Sequence, residues 1–282
     1  MIISVCVSVT AETYYVLDGF TYKVVDYGVS IHAWDYSSDT MTVPQLLGGT
    51  RVAEIDDFAF NNDTNITKVK FSEASYLSRI GKMSFLKSGL TGSLELTPSI
   101  TNIGVGAFQG CANLTEVLYN SQATVIPNQC FKECTELTKV EITSSVESIG
   151  AYAFQNCTSL ESVVIPKTVT TISPSAFLND FNLTLGVWYD SYGYQYAVQN
   201  NINYTLLDGV KLGDVNGDNI VNVDDATLIQ KYLAELETIE GIYLYAADSN
   251  EDTEIDVSDA TAIQMYSVEL QTGHPIGQVM TK

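Results

Sequence analysis

Two twelve-residue segments in the last quarter of the chain carry oxygen-bearing side chains at the same positions, 1, 3, 5, 9 and 12. They run from Asp214 to Asp225 and from Asp248 to Asp259. Calcium takes about six to eight oxygen ligands, and this spacing lets one loop wrap a single ion while position 7 supplies its backbone carbonyl. The pattern therefore predicts two calcium ions, one in each segment. The predicted ligands are Asp214, Asn216, Asp218, Ile220, Asn222 and Asp225 for the first ion, and Asp248, Asn250, Asp252, Glu254, Asp256 and Asp259 for the second.

The two segments are copies of one unit. They begin 34 residues apart, and 12 of the 23 aligned positions in 214–236 and 248–270 are identical. Each leads into the same run, Asp-Ala-Thr-x-Ile-Gln-x-Tyr, which predicts a helix directly after each loop. Residues 213–270 hold 14 acidic residues and one basic residue. This excess of negative charge would also be compatible with solvated acidic turns that bind no cation. Two loops in register, each with a matching helix, favour cation binding over that alternative.

Both loops depart from the standard EF-hand. The residues before the first loop, 210–213, are too few for a helix, and position 12 is aspartate where glutamate is usual. Position 6, where the sharp turn usually needs glycine, is Asn219 in the first loop and Thr253 in the second. Asparagine tolerates a left-handed backbone, whereas a β-branched threonine costs about 1 kcal/mol there.

The elements before these loops follow a repeat of 23 residues. The pattern Ile-x-x-x-(Ala/Ser/Cys)-Phe occurs six times, with spacings of 25 and then 23 residues between successive copies. Equal spacing predicts that each repeat is one coil and that stacked coils bury a continuous apolar column. The β-prone Leu-x-x-Val run in the best copies predicts a short strand in every coil. The isoleucines are Ile55, Ile80, Ile103, Ile126, Ile149 and Ile172, and the phenylalanines are Phe60, Phe85, Phe108, Phe131, Phe154 and Phe177.

Three cysteines, Cys111, Cys134 and Cys157, are spaced one repeat apart. This spacing predicts that they stack inside the coil as small apolar fillers. A disulfide between neighbouring coils is not excluded by the distance of about 5 Å between coils. A closed zinc site needs four ligands, often with histidine, and a cysteine nucleophile needs a partner base. The chain has only His32 and His274, and neither lies in the repeats that hold the cysteines, so we expect core packing.

Composition excludes several classes of partner. The chain has 34 acidic and 13 basic residues, whereas nucleic acids and anionic membranes require a basic face. No apolar run reaches the ~18 residues of a membrane span. The apolar start ends in Val9-Thr10-Ala11, which predicts that residues 1–11 are the end of a secretory signal peptide, with a first β-strand as the alternative.

The repeat, with Ala-Phe-x-x-Cys-x-x-Leu-x-x-Val and an Ile-Pro as in Ile165-Pro166, resembles the bacterial leucine-rich repeats of the BspA type over residues 17–206. The second copy departs from the pattern, since it has Ser84 for alanine and lacks the cysteine. The resemblance implies an α/β leucine-rich-repeat solenoid with short strands and about six 23-residue coils. Family members are mostly surface or secreted binding proteins.

The acidic repeats, which open with Gly-Asp-Val-Asn-Gly-Asp, resemble a type I dockerin, a small all-α module with two calcium loop-helix repeats. The aspartate at position 12 agrees with that family, and the residues at position 6 do not. Dockerins join secreted proteins of anaerobic bacteria to cohesin modules on scaffoldins, which builds the cellulosome. The resemblance implies cohesin contacts from loop positions 10 and 11 and from the following helix. These positions are Val223, Asp224, Gln230, Lys231 and Glu235 in the first copy, and Val257, Ser258, Gln264, Met265 and Glu269 in the second.

The expected organisation has four parts. They are a signal-peptide remnant at 1–11, a leucine-rich-repeat domain with caps at 12–208, a linker at 209–212 and a dockerin at 213–277. We expect a non-catalytic, secreted protein attached to a cell-surface multienzyme complex. Its calcium-dependent dockerin would bind a scaffoldin cohesin, while the repeats bind a protein or cell-surface partner.

Two alternatives remain at this stage. A carbohydrate-binding solenoid would aid the degradation of plant polysaccharides by stacking the aromatic residues at its ends on sugar rings. Capping the open ends of the apolar column is the more ordinary use of those aromatic residues. A hydrolase is disfavoured, because dedicated catalysis normally needs clustered acids and a histidine in a cleft.

Overall fold

The structure is a computed structural model, and it describes residues 8–9, 12–36, 38, 40–72, 74–189, 191–240, 242–270 and 273–279. The chain divides into two compact units, Met1–Thr184 and Leu185–Lys282. The segment interpreted as a signal-peptide remnant, 1–11, lies outside the described residues apart from Ser8–Val9. The domain boundaries expected from the sequence stay a prediction.

Short strands recur along the whole of the first unit and at the start of the second. They are β1 (Ser8–Val9), β2 (Glu12–Leu17), β3 (Phe20–Val25), β4 (Gly28–Trp34), β5 (Met41–Thr42), β6 (Leu46–Leu47), β7 (Thr50–Ile55), β8 (Val69–Lys70), β9 (Arg79–Ile80), β10 (Gly92–Leu96), β11 (Asn102–Ile103), β12 (Leu114–Tyr119), β13 (Val125–Ile126), β14 (Lys139–Ile142), β15 (Ser148–Ile149), β16 (Ser162–Val164), β17 (Thr171–Ile172), β18 (Thr184–Val187) and β19 (Asn203–Leu206). The helices are α1 (Tyr192–Gln199), α2 (Val223–Leu233), α3 (Ile242–Ala247) and α4 (Val257–Ser267).

The coils stack as parallel sheets, as the repeat predicts. One sheet contains β10, β12, β14 and β16 in that order, and a second contains β13, β15 and β17. Val117 pairs with Val140, and Val140 pairs with Val163, so each coil places the equivalent residue in the same register. Antiparallel strands β2, β3 and β4 open the unit, and β4 then pairs in parallel with β7. This confirms the solenoid expected from the spacing.

The repeated phenylalanines form one continuous stack inside the coils. Neighbouring rings from Phe60 to Phe177 lie 5.1 to 5.6 Å apart, and five of the six rings are at most 1% exposed. Offset and edge-on contacts at this distance add to the energy of burial. The column of Ile and Phe predicted from the repeat is therefore the core of the first unit.

The cysteines form a second ladder beside the phenylalanines. Cys111, Cys134 and Cys157 are buried and free of disulfide bonds. Each thiol donates to the backbone carbonyl of a phenylalanine 26 residues earlier, as Cys134 does to Phe108 O at 3.3 Å. Burial raises the pKa of the Cys111 thiol to about 11, which keeps it uncharged. These contacts support the interpretation of the cysteines as core residues.

The segments that connect the strands are turns rather than helices in the described repeats. In a typical coil, Tyr152 and Asn156 on either side of Phe154 both have left-handed backbones, with φ of 59° and 62°. Two left-handed residues within one turn interrupt the dihedral angles of an α-helix. The chain therefore returns to the next strand by a compact turn.

Three aromatic residues of the opening cap cover the core. Phe20, Tyr22 and Trp34 are 6%, 9% and 7% exposed, and Tyr36 is 39% exposed. Burial of the first three rings is what a cap on the apolar column requires, and it leaves those rings unable to stack on sugars. The described residues include no helix that is long and apolar enough to cross a membrane.

The second unit joins the closing segment to the acidic repeats. Strands β18 and β19 are neighbours, and α1 begins at the cap residue Ser191, whose side chain accepts from Tyr194 N. The last residue of the segment expected to be a linker is held by two backbone bonds: Leu212 N donates to Gln278 O, and Leu212 O accepts from Gly277 N. The core of the acidic repeats is formed by α2, α3 and α4.

Candidate metal centre and docking surface

The first acidic loop is organised by hydrogen bonds from backbone N–H groups to its carboxylates. Asp214 Oδ1 accepts from Gly217 N at 2.9 Å, and Asp214 Oδ2 accepts from Asn219 N at 3.0 Å. Asp218 Oδ1 accepts from Ile220 N at 2.7 Å. These bonds curl the backbone around the side chains at positions 1 and 5.

The second loop repeats this arrangement at equivalent positions. Asp248 Oδ2 accepts from Thr253 N at 3.0 Å, as Asp214 does from Asn219 in the first loop. Asp252 Oδ1 accepts from Glu254 N at 3.0 Å. The two loops therefore curl in the same way around the carboxylates at positions 1 and 5.

The last predicted ligand of each loop also begins the following helix. Asn222 caps α2 and Asp225 closes a capping box with it, since Asp225 Oδ2 accepts from Asn222 N at 2.9 Å. Asp256 and Asp259 form the same box at the start of α4. A capping box satisfies backbone donors that the first helical turn leaves unpaired. The loop residues at positions 9 and 12 are thus fixed by the helix that follows.

The side chain at position 12 also closes the loop from its other end. Asp225 Oδ1 accepts from Val215 N at 2.8 Å and from Asn216 N at 3.0 Å. In the second loop, Asp259 Oδ1 accepts from Asn250 N at 3.1 Å. Each aspartate therefore ties the start of its loop to the first turn of its helix.

The residue at position 6 is left-handed in both loops, as the sequence predicts. Asn219 has φ of 66° and Thr253 has φ of 76°. Asparagine visits this region readily, whereas a β-branched side chain is strained in it. The two loops therefore share the backbone conformation at position 6 and differ in strain there.

Three of the loop carboxylates are buried, which is unusual for charged groups, whereas Asp218 and Asp252 are exposed. Asp214 is 1% exposed, and Asp225 and Asp259 are 0% exposed. Burial raises the pKa of Asp225, Asp248 and Asp259, with neighbouring carboxylates adding to the effect. A buried carboxylate needs hydrogen bonds and a compensating positive charge. A bound cation would supply that charge.

The donor sets fit calcium. A carboxylate can accept about four hydrogen bonds or ligand bonds, so Asp214, which accepts two, keeps oxygen lone pairs for a cation. The described residues contain no group of three or more His, Cys, Asp or Glu side chains placed to hold a metal ion. The predicted sets also use asparagine side chains and a backbone carbonyl, which calcium accepts as ligands.

The two helices are packed so that equivalent faces stay exposed. Ala226 and Ile229 of α2 meet Ala260 and Ile263 of α4 in one buried cluster. The ten residues expected to contact cohesin lie outside this cluster. Nine of them are exposed, and Gln264 is half-buried. In the second copy, Val257, Ser258 and Met265 line a surface cavity of about 410 Å³ together with His274.

Sequence reasoning missed a charged network in the first unit. Lys23 Nζ lies 3.0 Å from Asp56 Oδ2 and 3.2 Å from Glu12 Oε2, and His32 Nδ1 lies 3.3 Å from the same Asp56 oxygen. Hydrogen bonds from His32 and Lys23 lower the pKa of Asp56 against the opposing effect of its burial. Glu12, Lys23 and His32 lie on separate strands and Asp56 follows β7, so no local spacing indicated them. The network is an ion-pair cluster on the opening sheet.

Comparison with known proteins bears on both units. A family model of the BspA type leucine rich repeat region matches residues 53–184 in six copies. A family model of the dockerin type I domain matches residues 212–266. A comparison with curated proteins finds no match.

Similar solved structures include three bacterial leucine-rich repeat proteins. A leucine rich cell surface protein from Faecalibacterium prausnitzii is 23% identical over 64% of this chain and 55% of its own, with a TM-score of 0.41. A leucine-rich repeat protein from Bacteroides ovatus is 22% identical over 55% and 44%, with a TM-score of 0.42. One from Eubacterium ventriosum is 19% identical over 62% and 52%, with a TM-score of 0.46. The chain spans about half the length of these proteins.

The dockerin match bears on the acidic loops. Type I dockerin domains bind calcium and support anchoring to a cohesin in a cellulosome-type assembly. Leucine-rich repeats support a binding role. The chain therefore combines a BspA type leucine rich repeat region at residues 53–184 with a type I dockerin domain at residues 212–266.

Proposed function

We propose that this is a non-catalytic, secreted binding protein. Its dockerin holds two calcium ions and anchors the chain to a cohesin of a cellulosomal scaffoldin. The leucine-rich repeats bind a protein or cell-surface partner. The observation that carries the proposal is the repetition of one hydrogen-bond pattern in both acidic loops, from Asp214 to Asp225 and from Asp248 to Asp259.

The chain's own residues prepare each loop for the ion. The N–H groups of residues 217, 219 and 220 orient the carboxylates of Asp214 and Asp218. Asp225 ties the first residues of the loop to α2, so the same side chain closes the loop and caps the start of the helix. Calcium, when bound, supplies the positive charge that the buried carboxylates lack.

The helices then present the docking residues. Because α2 and α4 pack through equivalent residues, Val223 and Val257 occupy equivalent exposed positions, at 53% and 69% exposure. Exposed apolar side chains at a helix start are suited to a protein partner. Folding of the loops around calcium would therefore assemble the cohesin-facing surface.

The test is a calorimetric titration of the full chain with a type I cohesin in calcium and in chelator. We expect binding in calcium and a loss of at least about tenfold in affinity after chelation, because the loops that place α2 and α4 depend on the ion. The double variant Asp214→Ala with Asp248→Ala should bind weakly even in calcium. Asp26→Ala, an exposed carboxylate of the first unit, is the control and should leave binding unchanged. Equal affinity with and without calcium would contradict the proposal.

A further inference from the structure

The first calcium loop contains the only Asn-Gly dipeptide of the chain, Asn216-Gly217. The second loop has Asn250-Glu251 at the same positions. Asparagine followed by glycine is chemically labile, because the following backbone nitrogen meets little steric hindrance when it attacks the side-chain amide. The two loops therefore differ at a bond that can be modified.

The structure explains why glycine stands at position 217. Its φ is 78°, and a β-carbon there would lie 2.5 Å from the hydroxyl oxygen of Tyr243 in α3. A side chain at this position would therefore require the Tyr243 ring to shift and would be strained at this φ. Glu251 has a similar φ of 59° and is exposed.

The closed loop restrains both groups that would react. Gly217 N donates to Asp214 Oδ1 at 2.9 Å, and a carboxylate acceptor opposes loss of the amide proton. The Asn216 side chain is held toward Asp218: its Oδ1 accepts from Asp218 N at 2.9 Å and its Nδ2 donates to Asp218 Oδ2 at 3.1 Å. Attack of the Gly217 nitrogen on Asn216 Cγ requires that these bonds open.

We propose that Asn216 is a modification site that calcium protects, and that loss of calcium exposes it to deamidation. The proposal rests on the proposed function, since it takes calcium as the ligand that keeps the first loop closed. Gly217 N gives its proton to a solvent base and forms a bond to Asn216 Cγ. The Cγ–Nδ2 bond breaks, and Nδ2 takes up one proton from solvent and leaves as ammonia. Water then opens the resulting succinimide.

The two ring-opening products differ in their effect on the loop. Water attack at Cγ yields an aspartate at this position, which retains the backbone and adds a carboxylate. Attack at the main-chain carbonyl carbon yields an isoaspartate, which inserts one carbon into the backbone between positions 3 and 4. The N–H groups of Gly217 and Asn219 then lose their register with the Asp214 carboxylate, so the isoaspartate form no longer closes around calcium.

The test uses the full chain at neutral pH, incubated in calcium or in chelator and analysed by peptide mapping for deamidation and isoaspartate. We expect Asn216 to convert at least about tenfold faster in chelator than in calcium, because local opening controls the reaction. In chelator it should also convert at least about tenfold faster than Asn250, which is the internal control. Equal rates in calcium and chelator, or equal rates at the two asparagines, would overturn the proposal.

A matched variant transfers the site to the second loop. Glu251→Gly creates an Asn-Gly dipeptide at a position that is already left-handed, so the fold tolerates it. Asn250 should then become labile in chelator, and its continued resistance would overturn the inference. Calorimetric titration of the same samples with calcium separates the two proposals. A flat titration would refute calcium binding, whereas measurable binding without protection of Asn216 would refute only this inference.

Discussion

The ring of Tyr245 in α3 meets the ring of Tyr194 in α1 edge to face, with centroids 6.1 Å apart. Tyr189 joins them at 6.0 Å from Tyr245. On its other side α3 places Tyr243 against Gly217 of the first calcium loop, and Asp248 of the second loop follows its last residue. This short helix therefore connects both calcium loops with the helix of the closing segment.

Replacing Tyr245 with alanine should weaken this connection. Two aromatic contacts and their buried area are lost, so we expect a destabilisation of about 1–3 kcal/mol. Thermal unfolding of the full chain in calcium, followed by near-ultraviolet circular dichroism, measures it. Tyr76→Ala is the matched control, because Tyr76 is similarly exposed in the first unit, at 48% against 44%. An equal effect of the two changes would contradict the role of Tyr245.

Exchanging the residues at position 6 should change the relative calcium affinities of the two loops. Thr253→Asn relieves a strained β-branched residue and should stabilise the second loop by about 1 kcal/mol. Asn219→Thr introduces the same strain in the first loop and should cost a similar amount. Calcium titration of the two variants measures both effects. If both variants raised calcium affinity, or both lowered it, strain at position 6 would not control affinity.

Asp180 should make the first unit less stable as pH rises. It lies one repeat after Cys157 in the cysteine ladder, is 8% exposed, and its carboxylate oxygens have no hydrogen-bond partner among the described residues. Burial raises the pKa of Asp180 from 3.8 to about 7. Between these pH values the folded chain keeps a proton that the unfolded chain has released, so stability falls with rising pH and levels off above about 7.

Asp180→Cys restores the ladder residue and should remove that fall. We expect a gain of roughly 1–4 kcal/mol above the pKa and little gain at low pH, where the carboxyl is neutral in both states. Denaturant unfolding at several pH values measures the difference. Asp26→Asn, at an exposed position, should leave the pH profile unchanged. A gain that does not vary with pH would mean that packing, rather than charge, causes it.

The dockerin should bind its cohesin in one preferred orientation. Asp224 and Lys231 of the first copy correspond to Ser258 and Met265 of the second, so each exchange replaces a charge by a neutral group. Charges at an interface rim govern orientation and partner choice. The pair Asp224→Ala with Lys231→Ala should therefore weaken binding through polar contacts. We expect the pair Ser258→Ala with Met265→Ala to remove an apolar contact beside the cavity that Met265 lines.

Calorimetric titration with the cohesin compares the two pairs and their combination. We expect each pair alone to reduce affinity. If neither pair alone had an effect and only the combined variant failed to bind, the two faces would be interchangeable.

The sequence alone predicted the elements whose spacing repeats. A constant 23-residue period puts the same side chain at the same place in every coil, so the stack from Phe60 to Phe177 could be predicted without coordinates. The two acidic loops and the helix after each were equally predictable, because a calcium loop draws its donors from one short segment. The left-handed backbone at Asn219 and Thr253 followed from position 6 of the same loop.

Only the tertiary structure could show contacts between residues with no fixed spacing. Examples are the approach of His32 to Asp56 and the contact of Tyr245 with Tyr194. The burial of the Asp180 carboxylate, which has no hydrogen-bond partner among the described residues, is another. All three depend on which strands and helices become neighbours. Local sequence pattern encodes periodicity and turn chemistry, whereas these contacts arise from the packing of distant segments. For the same reason, only the tertiary contacts place residues 185–208 in the same compact unit as the two acidic loops.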